Sequence, residues 1–219
     1  MTTNTNHALP YNISDPEDIA ACNRQLAFAF GWYIDPLVFG KYPDEMTSVI
    51  TNGKLPSFTE EESTMLKGSY DFIGLNHYTS NYAMNDPTSS SDQKTRGTVV
   101  DIDGKLIGPQ AESGWLFVYP PGIRGLLNWI DSRYNHAKIY IFENGVSVPH
   151  ENDMPISEAI HDTFRVDYYK GYIKNAIDAM TIDGVNLGGY FGWSLMDNFE
   201  WADGYSTRFG MTYVDYNDN

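Results

Sequence analysis

The chain has 219 residues, 42% hydrophobic and 15% aromatic, which is enough apolar material for one packed domain and too much for a disordered chain. Fourteen Lys and Arg against 29 Asp and Glu leave a net charge of −15, which sets nucleic acid and anionic membrane aside as partners because both repel it. The lone cysteine, Cys22, excludes an intrachain disulfide and a cysteine-based zinc site.

The stretch Met1-Thr2-Thr3-Asn4-Thr5-Asn6-His7 has no basic region followed by an apolar one. No signal peptide is read there, and a cytoplasmic location is the expectation. No window approaches 18 consecutive apolar residues, so no membrane-spanning helix is expected. Ser14-Asp15-Pro16-Glu17 reads as a capping box with proline in the first helical turn. Ile19, Cys22, Leu26, Phe30 and Tyr33 follow at steps of three and four, the mark of an amphipathic helix. It is expected to end near Asp35-Pro36, since the residue before proline avoids the α region.

Tyr70 to Tyr78 is a short apolar run that ends in polar groups, as a buried strand ending at a site would. Next, residues 84–112 read as a long loop insertion within a single domain spanning 1–219. Its low-complexity stretch is Asn85 to Lys94. A second helix is predicted over Pro121 to Tyr134, with Ile123, Leu126, Leu127, Ile130 and Tyr134 inward, and a strand over Lys138 to Glu143. A third helix is predicted over Ser157 to Thr181, with Ile160, Phe164, Ile173, Ile177 and Met180 inward, closed by Asp183-Gly184. A final strand runs from Leu187 to Leu195.

Strands alternating with helices predict an α/β fold with parallel pairing and right-handed crossovers. Polar residues gather where the strands end: Asn76 and Tyr78, Glu143 and Asn144, then Asp197 to Trp201. In a (β/α) barrel those ends share one face, and chemistry sits there. Glu143 ends a strand too apolar for the surface, so its carboxylate is held rigidly and partly desolvated, as a nucleophile requires. Asp197 and Glu200 read either as acids of a solvated loop after the strand or as carboxylates that accept bonds from vicinal sugar hydroxyls, with Trp193 and Trp201 as stacking surfaces. His77 reads as a packed neighbour, and the histidines show no metal-ligand spacing. No nucleotide-binding or serine-hydrolase motif is present.

These segments resemble glycoside hydrolase family 1, the β-glucosidase family, along nearly the whole chain, and most closely its fungal-like intracellular members. Phe142-Glu143-Asn144-Gly145 resembles the family's Thr-Glu-Asn-Gly segment. Gly74-Leu75-Asn76-His77-Tyr78-Thr79-Ser80 resembles its sixth-strand segment, and Gly189 to Trp201 with Gly204 to Gly210 resembles its final one. Asp35-Pro36-Leu37 with Gly40-Lys41-Tyr42-Pro43 fits as well. The resemblance implies that Glu143 is the nucleophile and that Tyr78 supports it. Asn76, Trp193, Glu200, Trp201 and Phe209 are then substrate-binding, with no cofactor and no metal. The implied substrate is an unphosphorylated β-glucoside or short cello-oligosaccharide.

The chain departs from the family in two ways. Phe142 replaces the usual threonine. No Asn-Glu-Pro segment, the family's acid/base, occurs anywhere in the chain. The resemblance places Met1 to Asn6 at strand five. It therefore implies the C-terminal half, strands five to eight, of an incomplete (β/α)8 TIM barrel, with the N-terminal half barrel as a partner. Retaining hydrolysis needs two carboxyls about 5–5.5 Å apart, so the lone chain is expected to be inactive, either a catalytically silent fragment or a sugar-binding remnant.

Overall fold

The computed structural model describes residues 2–51 and 53–218. Met1, the first residue of the expected N-terminal strand, lies outside them, as do Asn52 and Asn219. Strands β1 (Thr2–Asn4) and β2 (His7–Pro10) come first, followed by helices α1 (Pro16–Leu26), α2 (Trp32–Phe39), α3 (Asp44–Thr47) and α4 (Glu60–Leu66). Strands β3 (Ile73–Asn76), β4 (Ser80–Asn85) and β5 (Thr95–Thr98) lead to α5 (Pro121–Arg133) and β6 (Ile139–Glu143). Helices α6 (Ile156–Ala159) and α7 (Thr163–Thr181) precede the last strand, β7 (Leu187–Tyr190). The segment 84–112, read as loop, thus carries β5, which pairs antiparallel with β4.

The main sheet has four parallel strands in the order β1-β3-β6-β7. One face of β6, Ile139 and Ile141, is fully buried with Ile123, Leu126, Leu127 and Ile130 of α5, the inner face predicted for that helix. The opposite face carries Tyr140 and Phe142, stacked with centroids 6.0 Å apart and joined by Phe72 and Phe191 in a partly exposed aromatic ladder. Phe142 packs over Gly74 of β3, where an added Cβ would fall 2.6 Å from the ring. The β3–β6 register shifts between Leu75 and Asn76, so Asn76 faces Glu143 and Phe142 is skipped. That irregularity turns the polar ends of two strands toward each other.

Several expectations are corrected. The N-cap of α1 is Asp15, whose carboxylate accepts from the Glu17 amide at 2.9 Å; Ser14 is not part of a box. The helix does not stop at Pro36. It passes through a π turn at Ala27–Gly31, includes Pro36 and ends at Gly40. Asp35 is pinned by Arg133 at 2.7 Å and Tyr134 at 2.7 Å, and these tertiary bonds override the local preference before proline. The wide π turn keeps Cys22, Leu26, Phe30 and Ile34 on one buried face, while Ile19 and Tyr33 are exposed.

The third helix is broken into α6 and α7, and its buried face is Arg165, Tyr168, Tyr172, Ala176 and Ala179. Ile160, Ile173, Ile177 and Met180 are exposed, and only Phe164 of the expected set packs on the core. Ile160, Ile173 and Ile177, with Val166 and Met211, line an open apolar groove of about 680 Å³. The last strand ends at Tyr190. Beyond it the Trp193 amide donates to the Asn144 carbonyl at 2.8 Å and the Ser194 amide to that of Phe209 at 2.9 Å, and these bonds replace the sheet ladder. No described helix is long and apolar enough to cross a membrane.

Candidate functional site

Glu143 stands at the C-terminal end of β6, and its Oε2 accepts a bond of 2.7 Å from the Tyr78 hydroxyl. Burial first, then the charge and bond of Glu143, push the Tyr78 phenol far above its ordinary range, so it remains a donor. Tyr78 is itself wedged edge-on between two rings, Trp115 at 5.9 Å and Phe209 at 6.0 Å. Oε2 is therefore tethered, and Oε1 makes no hydrogen bond to a described residue.

The seven residues singled out from the sequence, Asn76, Tyr78, Glu143, Trp193, Glu200, Trp201 and Phe209, line one cavity of about 510 Å³. They arrive on three strand ends. Asn76 ends β3, and its Oδ1 accepts from the Thr2 hydroxyl at 2.9 Å. Glu200 and Trp201 sit on a tight turn after β7, closed by the Glu200 amide on the Gly204 carbonyl at 2.6 Å and the Asp203 amide on the Glu200 carbonyl at 2.9 Å. Trp201 is 83% exposed and holds a left-handed φ of 44°, a strained place for a bulky residue.

Asp197 does not join them. It is buried behind the cavity, where Arg208 and the amides of Gly210 and Val214 occupy its oxygens. A carboxylate so occupied neither clamps a sugar nor donates a proton into the cavity. His77 is a packed residue, with Nδ1 against the Thr5 carbonyl at 2.9 Å.

The cavity also takes in Asn4, Trp115, Ala202 and Asp203, which sequence reasoning missed. Trp115 follows no regular strand, so no strand-end signal marks it. Asp203 had a signal in its spacing, three residues beyond Glu200 in the turn. Burial, then the Asp203 charge, raise the Glu200 carboxyl above its usual range, and Glu143 adds to this. Among the described residues lining the cavity none is basic, so three carboxylates share it with five aromatic residues. Such a site suits a neutral polyhydroxylated ligand: oxygens for hydroxyls, ring faces for C–H surfaces, and one carboxylate oxygen free to act as a nucleophile.

Gly145 ties the nucleophile strand to the next wall. A Cβ there would lie 1.7 Å from the Trp193 carbonyl oxygen, so only glycine lets the two backbones approach.

The model of the family described as Glycosyl hydrolase family 1 matches residues 1–219. Beta-glucosidase 12 of Oryza sativa subsp. japonica is 45% identical over 216 residues, covering 96% of this chain and 42% of that protein. Beta-glucosidase 1B of Phanerodontia chrysosporium is 45% identical over 216 residues, covering 99% and 39%. Among solved structures, a GH1 beta-glucosidase from the fungus Humicola insolens in complex with glucose superposes with a TM-score of 0.95 at 45% identity, covering 99% of this chain and 46% of that one. The beta-glucosidase from Trichoderma harzianum gives 0.94 at 47% identity, covering 99% and 47%. The chain thus spans less than half the length of the relatives it matches, and its architecture is that of a partial barrel.

Proposed function

The chain belongs to glycosyl hydrolase family 1, and on that premise we propose that it carries the nucleophile side of a retaining β-glucosidase cleft, strands five to eight of the barrel, with the acid/base supplied by an N-terminal half barrel. One observation carries the reading: the 2.7 Å bond from Tyr78 to Glu143, in a cavity shared with Trp193, Glu200 and Trp201.

In the reaction Glu143 Oε1 attacks the anomeric carbon. The bond from that carbon to the leaving oxygen breaks, and the electron pair leaves with the oxygen. Tyr78 holds Oε2 and steadies the carboxylate until the glycosyl ester forms. Asn76 lines the cleft beside Glu143, and Trp193 is the platform under the sugar. Glu200 and Trp201 take its hydroxyls, and Phe209 closes the wall. Glu200 and Asp203 together repel a phosphate group, which favours an unphosphorylated β-glucoside or short cello-oligosaccharide.

A poor leaving group needs a proton as it departs, and the cavity's other two carboxylates, Glu200 and Asp203, lie together on the one turn at 200–204, on the wall assigned to the sugar's hydroxyls. That observation favours a second reading for the lone chain: it binds sugar and is glycosylated by activated substrates, but does not turn over a natural glucoside.

The test incubates the 219-residue chain with a fluoroglucoside bearing a dinitrophenolate leaving group, which departs without a proton. Mass spectrometry of the digested protein should find the fluoroglucosyl ester on Glu143 and none in Glu143→Gln. Label on another carboxylate, or none, overturns the nucleophile assignment. Turnover of cellobiose by the lone chain overturns the need for a second half.

A further inference from the structure

The Tyr78–Glu143 pair is closed into a ring by two residues that do not line the cavity. Asn144 is fully buried, and its Nδ2 donates to the Tyr168 hydroxyl at 2.8 Å and to the His77 carbonyl at 2.6 Å. The Tyr168 hydroxyl donates in turn to the Tyr78 carbonyl at 3.0 Å. Tyr78 then returns through its own hydroxyl to Glu143, the residue before Asn144. Tyr190 donates to Asn144 Oδ1, which fixes the amide's orientation. The inner half of the ring is buried, with Asn144 at 0% and Tyr168 at 1% exposed.

We propose that Tyr168, on α7 and outside the cavity, is a positioning residue for the nucleophile: its one hydroxyl fixes the spacing of β3 and β6 at the point where Tyr78 meets Glu143. The proposal rests on the reading of Glu143 as nucleophile. The hydroxyl suits the task because it spends both its capacities, accepting from Asn144 and donating to Tyr78. Burial keeps the phenol protonated throughout the usable pH range. Tyr172 is the internal control. It stacks on Tyr168 at 4.1 Å and donates to the same Tyr78 carbonyl at 3.1 Å, but it has no bond to Asn144. Anchoring of the carbonyl alone would make the two tyrosines equivalent; closure of the ring makes Tyr168 the dominant one.

The experiment compares Tyr168→Phe and Tyr172→Phe in the 219-residue chain, since both keep the ring and its packing. Inactivation by the dinitrophenyl fluoroglucoside gives a maximal rate and a half-saturating concentration. For Tyr168→Phe the rate should fall roughly tenfold or more, about 1.4 kcal/mol or more of barrel-end alignment, at an unchanged half-saturating concentration. Tyr172→Phe should lose less than about threefold, under ~0.7 kcal/mol. Equal losses in both variants, or a loss confined to half-saturation, overturn the proposal. Hydrogen exchange of peptides spanning 74–79 and 141–146 gives a readout independent of labelling. Tyr168→Phe should quicken both segments and leave 123–130 unchanged, and no local change overturns it. An unlabelled wild-type chain would defeat the nucleophile reading, and exchange alone would then decide whether Tyr168 holds these two strand ends.

Discussion

Arg208 donates to Asp197 Oδ2 at 2.5 Å, with the two side chains 6% and 0% exposed. The guanidinium lies between Tyr213 at 4.3 Å and Tyr216 at 4.4 Å, and its Nε reaches Asn152 on the segment after β6. The pair therefore joins the loop that follows Glu143 to the loop that carries Glu200 and Trp201. Removing one partner strands a buried charge, which typically costs about 3–5 kcal/mol. Asp197→Ala should lower urea-unfolding stability by that order, and Asp197→Ala with Arg208→Met should recover part of the loss. If Asp197→Ala costs less than about 1 kcal/mol, the pair does not hold the loop.

Tyr78→Phe isolates the hydroxyl from the ring. The edge-on packing against Trp115 and Phe209 survives, so thermal stability should change little. The carboxylate of Glu143 loses its donor, and labelling by the activated fluoroglucoside should slow by roughly ten- to a hundredfold, within the range of other lost positioning donors. An unchanged labelling rate would mean that the 2.7 Å bond has no part in the chemistry.

Gly145→Ala addresses the close approach of two strand ends. The new methyl would meet the Trp193 carbonyl 1.7 Å away, and backbone yields far less readily than a side chain. Overpacking of this kind costs about 1–3 kcal/mol and can exceed it. We expect poor soluble yield or a melting temperature lowered by several degrees, with sugar binding impaired in whatever folds. A variant that melts with the wild type would show that the two strand ends can part freely.

The cavity was legible in the sequence because barrel logic needs only strand ends, and Asn76, Glu143 and the Asp197–Trp201 segment each follow a short apolar run. Asp197 was misplaced because a loop acid gives no sign of its direction; Arg208, 11 residues on, captured it. Trp115 was missed because it approaches Tyr78 from an irregular segment. The orientation of α7 was misread for a different reason. Its sequence offers two faces at helical spacing: the aliphatic Ile173, Ile177 and Met180, and the face of Tyr168, Tyr172, Ala176 and Ala179. Hydrophobicity alone favours the first. The second is buried because the tyrosine hydroxyls find partners at the Tyr78 carbonyl, a fact of tertiary geometry that periodicity does not contain. Pro36 fails in the same way, since the ion pair and hydroxyl at Asp35 lie 98 and 99 residues away in sequence.

The last prediction concerns acid. His77 is buried and His7 half-buried, with Nε2 of the first and Nδ1 of the second out of solvent and without a hydrogen-bond partner among the described residues, and burial lowers both to about 4. Their unfolded value is near 6.5, so the unfolded chain binds more protons than the folded one between those limits. Stability from the neutral rings is thus complete above about pH 6.5 and is lost as pH falls toward 4. A depression of this size corresponds to about 3 kcal/mol for each ring, to order of magnitude. Glu151 and Glu200, both raised by burial, act in the opposite sense as they take up protons, so the informative quantity is a difference between proteins. Urea unfolding of the wild type and His77→Gln at pH 7 and pH 4.5 supplies it. The variant should be less stable at pH 7, because a packed ring is gone, yet lose less on acidification than the wild type. Parallel losses in the two proteins would show that His77 does not titrate across folding.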